Sequence, residues 1–182
     1  MDKNLTAVDI NICLKPYLEL LGRVDHLLDQ VRRLYPADIA CHKGCECGCR
    51  NLSIFPVEAL SLSLAIWELP AEAAADIRRR AAASSIWDCP LLEDQACRLY
   101  PFRPIICRTH GFALQTIYKG RRSIGHCRLN FKNRSLIPDD AIIDLDQIHS
   151  SLRTINATIA AQLALQMPDR LSIAAAIELN LR

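Results

Sequence analysis

Apolar residues along the chain fall into helical rather than alternating patterns. Tyr17, Leu20, Leu21, Val24, Leu27, Leu28, Val31 and Leu34 recur at the three-and-four spacing of one helix face, which predicts an amphipathic helix over 16–35. Pro16 suits its first position, where a missing N–H is harmless, and Pro36 ends it. A second helix is expected over 56–69, opened by Pro56 with Glu58 in its first turn. Its stretch from Ala59 to Leu69 is the most apolar of the chain. It is too short for the ~18 apolar residues of a membrane span, and reads instead as a core helix. A third helix is expected from about Ala71 to Ser84, with Arg78, Arg79 and Arg80 towards its end. Helical periodicity returns over 139–167, where Ile148, Leu152, Ile155, Ile159, Leu163 and Gln166 trace one face and Asp139 or Asp140 serves as cap. A last helix is expected over 171–181, after Pro168.

Two segments break this pattern. Residues 41–50 read Cys-His-Lys-Gly-Cys-Glu-Cys-Gly-Cys-Arg, and two glycines in ten residues argue for a tight loop. Residues 87–137 are punctuated by Pro90, Pro101, Pro104, Gly111, Gly120 and Gly125. They are expected to be irregular, with a short helix near 103–107 and a hairpin around 116–124. The fold class expected from these elements is mostly α: one small helical domain over 1–182 with a loop-rich cysteine-cluster centre.

Composition changes the picture at one point. A 182-residue chain with 51% hydrophobic residues can form its core without a covalent staple, and a net charge of +2 favours no particular partner. The N-terminal residues carry Asp2 and Asp9 and lack the pattern of a secretory signal, so a cytoplasmic location with no membrane association is expected. Nine cysteines are unusual there. In a reducing compartment a dense cysteine pattern reads as metal-binding or catalytic more readily than as disulfides, and an odd count fits a closed disulfide framework poorly.

Cys13 stands alone and reads as a small buried apolar residue. The other eight form two groups: Cys41, Cys45, Cys47 and Cys49, then Cys89, Cys97, Cys107 and Cys127. Thiolates are soft ligands that select zinc, copper(I) or iron–sulfur clusters. The gaps in the second group match no zinc-finger or ferredoxin template. Four-cysteine zinc and [4Fe–4S] sites each take four thiolates, so eight allow two sites, one site with spare thiols, or a larger cluster. From Gln95 to Pro138 there is no acidic residue, while nine lysines and arginines occur. Arg50, Arg98, Arg108 and Arg128 each directly follow a cysteine, where they could neutralise an anionic thiolate site. The same stretch lacks the interleaved aromatics of a nucleic-acid module, which argues against nucleic acid and leaves room for a protein partner. His42, His110 and His126 lie near cysteines and are candidate ligands or hydrogen-bond donors to them.

Several of these motifs together resemble the YkgJ-like family of bacterial cysteine-cluster proteins, described as a zinc- or iron-chelating domain. The matching features are Cys41-x3-Cys45, Cys49, Pro56-Val57-Glu58-Ala59-Leu60, Cys89-Pro90-Leu91-Leu92, Cys97, Tyr100-x2-Arg103-Pro104-x2-Cys107-Arg108 and Cys127. They span roughly residues 20 to 180. The family's adjacent cysteine pair appears here as Gly48-Cys49, with Cys47 one place earlier, so the part played by Cys47 is open. The resemblance implies a multi-cysteine site for iron, including a [4Fe–4S] cluster, or for Zn2+. It supplies no reaction and no catalytic residue. A flagellin lysine methylase is similar in its cysteine region, which raises a cluster-dependent protein lysine N-methylase-like activity as an alternative. A thiol redox sensor is another. The Cys-x3-Cys-x2-Cys spacing of radical S-adenosylmethionine chemistry is not met, because Gly48 occupies the third place.

Overall fold

The computed structural model describes residues 7–164 and 166–179. The first helix, α1, runs Ala7–Leu34, about two turns earlier than its periodicity suggests, with Pro16 inside it. Ile10 and Leu14 continue the apolar face of Tyr17, Leu21, Val24, Leu28 and Val31, and all seven are buried. Burial of that extended face offsets the backbone hydrogen bond that a proline removes.

After the cysteine loop come β1 (Ser53–Ile54), α2 (Pro56–Trp67) and α3 (Ala71–Ala83). Helix α2 is buried on every side from Pro56 to Ile66, as expected of a helix apolar all round. It joins two cores. Val57, Leu60 and Leu64 face the first, built mainly from α1 and the long C-terminal helix. Ala59, Leu62 and Ile66 face the second, which contains Ala74, Ile77 and Ala81 of α3 and Ile173, Ala176 and Ile177.

The central segment forms β2 (Leu92–Glu93), β3 (Ala96–Cys97), α4 (Ile105–Thr109), β4 (Ala113–Tyr118) and β5 (Arg121–Gly125). Then follow β6 (Ile142–Asp144), α5 (Leu145–Gln162), β7 (Leu171–Ser172) and α6 (Ile173–Ile177). Strands β1 and β7 pair antiparallel, β2 and β3 form a tight hairpin, and the third sheet has the order β5-β4-β6 with β6 parallel to β4.

The mostly-α expectation is therefore corrected. About 50% of the protein is helical and 13% is strand, in three small sheets, making it mixed α and β. Five of the seven strands have only two or three residues, too short for a period-two pattern to register. The expected hairpin is present and extends from Ala113 to Gly125. The cap expected at Asp139 or Asp140 belongs instead to Asp144, whose side chain accepts the Gln147 N–H; residues 139–141 form a 3-10 turn leading into β6. The last helix covers Ile173–Ile177, because Leu171 and Ser172 pair with β1, and the expected residues 180–181 lie outside those described. Among the described residues no helix is long and apolar enough to cross a membrane.

Candidate metal centre

Two consecutive turns shape the first cysteine group. The Cys45 N–H donates to the His42 carbonyl and the Cys49 N–H to that of Glu46, at 3.1 and 2.9 Å. Gly44, at φ +102°, takes the left-handed position that the first turn needs. At Gly48 the space a Cβ would take is filled by the His110 imidazole, whose Nε2 would lie 2.0 Å from it.

The second group reaches the loop from three directions. Cys89 precedes the β2–β3 hairpin, its carbonyl accepting the Leu92 N–H at 3.1 Å, and Cys97 ends β3 opposite Leu92. Cys107 lies in α4. Cys127 follows β5, and its N–H donates to the Gly111 carbonyl at 3.1 Å.

All eight cysteines named above line one cavity of about 100 Å³, together with His42, His110, Arg32, Arg103 and Tyr100. All nine cysteines are free thiols. Cys13 lies on α1 against the first core and is not part of the cavity wall. Among the described residues, no three His, Cys, Asp or Glu side chains are grouped so as to hold a metal ion.

The Tyr-x2-Arg-Pro-x2-Cys-Arg motif is a buttress for Cys107. Arg103 stacks on the Tyr100 ring at 3.6 Å, and its guanidinium donates to the carbonyls of Tyr100 (3.0 Å) and Cys107 (3.5 Å). Arg108 is buried and bonds to the Arg103 carbonyl (2.6 Å), the Pro101 carbonyl and Asp25 of α1 (2.6 Å). Glu58 is 3% exposed. Its two oxygens accept the N–H groups of Phe55 and Ile105, each at 2.9 Å, tying the start of α2 to the start of α4.

Burial pushes the thiols of Cys41, Cys49, Cys89 and Cys97 upward, and that of Cys107 furthest. Cys47 is exposed, and its thiol is raised by a hydrogen bond with Cys45. Arg103 opposes the rise at Cys49, Cys97 and Cys107. The arginines beside cysteines in sequence are differently employed. Arg98 pairs with Asp76 and with Glu93 (3.4 Å), and Arg108 with Asp25. Arg134, further along the same basic stretch, pairs with Asp38 at 2.7 Å. Carboxylates outside this segment thus pair with Arg98, Arg108 and Arg134, three of its nine basic residues.

The three histidines also separate. His42 and His110 line the cavity, whereas the His126 ring bonds the Cys127 carbonyl at 2.9 Å and is not part of the wall. Sequence reasoning missed Asn130, which is fully buried. Its amide donates to the Gly111 carbonyl (2.6 Å) and to the Cys41 sulfur (3.3 Å), while its oxygen accepts the Ala40 N–H (2.8 Å). Nothing in the sequence around Asn130 signals this, because its partners lie 19 and 89 residues away.

No protein-family model matches the chain, and no curated protein and no solved structure matches it.

Proposed function

We propose that the protein binds iron, as an iron–sulfur cluster, or zinc through the thiolates of Cys41, Cys45, Cys47, Cys49, Cys89, Cys97, Cys107 and Cys127. The observation that carries this reading is the convergence of eight free cysteines from distant segments on one cavity wall. The donor set matches these metals in ligand type, and metal binding would have to draw the sulfurs closer together than they stand. The set is all sulfur, which favours thiophilic iron and zinc over magnesium or calcium. Bound metal would neutralise sulfurs that burial otherwise keeps protonated, with Arg103 supplying positive charge beside them. The resemblance to the YkgJ-like family points the same way.

Thiol redox sensing has weaker support. A sensor needs an exposed, low-pKa thiol, and the exposed Cys47 is shifted in the opposite direction by Cys45.

Serine replacement of Cys45 or of Cys107 tests the metal reading. Each is expected to lower bound metal per chain and the melting temperature together, with Cys13→Ser changing neither. Unchanged metal in both cavity variants would remove those residues from the site.

A further inference from the structure

Asn130 is fully buried, and both polar atoms of its side chain are engaged. Its neighbours fix which way round the amide sits. The Ala40 N–H needs an acceptor, so Oδ1 faces it at 2.8 Å; the Gly111 carbonyl needs a donor, so Nδ2 faces it at 2.6 Å. Turning the amide over would set oxygen against oxygen and N–H against N–H. The remaining N–H of Nδ2 is thereby aimed at the Cys41 sulfur, 3.3 Å away.

The backbone holds this amide in place. The Asn130 N–H donates to the Cys127 carbonyl at 2.9 Å, and the next N–H, of Phe131, to the Asp38 carbonyl at 2.8 Å. Phe131 is buried edge-on to the Tyr35 ring, with centroids 5.9 Å apart, and Arg134 pairs with the Asp38 carboxylate at 2.7 Å. Phe131 also has φ +53°, a left-handed backbone that a bulky residue keeps only where its surroundings enforce it. Residues 127–130 are thus fixed against the stretch that leads from α1 to Cys41. Three separate parts of the chain, at residues 40–41, 111 and 127, meet at this one asparagine.

Resting on the metal-binding reading above, we infer that Asn130 is a positioning residue for the metal: it orients Cys41 and donates an N–H to its sulfur in the metal-bound state. Hydrogen bonds to a charged acceptor are the stronger kind, so this one tightens as the sulfur takes on thiolate character in binding metal. Partners that orient a metal ligand in this way typically change affinity by about 10–100-fold.

The affinity of the full chain for zinc(II) and iron(II), each in competition with a chromophoric chelator, tests this. Asn130→Asp keeps an oxygen for the Ala40 N–H and presents no N–H to the sulfur. It should weaken binding about 10–100-fold. In a Cys41→Ala background the same change should leave affinity unaltered, because the asparagine acts through that sulfur. An equal loss in both backgrounds, or no loss in either, would overturn the inference and leave metal binding intact. Asn130→Asp also sets an oxygen against the Gly111 carbonyl, so the wild type supplies a second readout that does not depend on the variant folding. Loading with NMR-active cadmium should shift one side-chain N–H signal of Asn130 and couple it to the metal through the Cys41 sulfur. Asn130 amide signals that do not change on loading would overturn the inference. Wild-type protein that binds none of the three metals would overturn the metal-binding reading itself.

Discussion

Gly111 leaves the space that the Cys41 sulfur occupies beside Cys127. It has φ +92°, and a Cβ would also run into the Cys41 sulfur. Gly120, at the β4–β5 turn, has φ +72° with open space where a Cβ would stand. Alanine at Gly120 should therefore cost only backbone strain, about 1–2 kcal/mol, and leave metal content unchanged. Alanine at Gly111 adds the sulfur clash, so its melting temperature should fall further and its metal content should drop. Equal effects of the two variants on both readouts would show that the Gly111 contact has no bearing on the site. At this scale the sequence was partly readable. The eight cysteines stood out by chemistry, and Glu58 and Arg103 through motif resemblance. Gly111 and Asn130 were silent, because their importance comes from one close approach across the fold.

Among elements, the junction of α2 and α4 governs where Cys107 lies. Glu58 is held between two backbone N–H donors, and its carboxyl is raised above its ordinary 4.5 by burial, against the pull of those two hydrogen bonds. With the folded value raised, the native state retains a proton that the unfolded chain has already released. Stability contributed by this group is thus full below about pH 4.5 and declines as pH rises through the folded value. Glu58→Gln should abolish that part of the pH dependence of the melting temperature. It also turns an amide N–H₂ towards a backbone N–H, which should destabilise by about 1–3 kcal/mol near neutral pH. Wild-type stability and an unchanged pH profile in the Glu58→Gln protein would contradict this account of the junction. The long helices were legible because their apolar faces repeat over many turns. The two-residue strands were not, and β6 pairs with β4 across a separation that no local pattern records.

On the scale of the molecule, two hydrophobic cores share α2, and the cysteine cavity draws its wall from the loop after α1, the β2–β3 hairpin, α4 and Cys127 beyond β5. A ligand that binds all of these at once favours the folded state by mass action, so its removal should loosen the whole structure and not one loop alone. The mixed α and β architecture belongs to this scale too. Its sheets are small connectors that bring cysteine-bearing segments together, and their partners were set by tertiary packing. The most direct test is elemental analysis with visible absorption of protein purified without oxygen. The account predicts bound iron with acid-labile sulfide and a broad visible band, or bound zinc in a colourless sample, in either case lost together with thermal stability on chelation. Protein that is folded, metal-free and indifferent to added iron or zinc would contradict it.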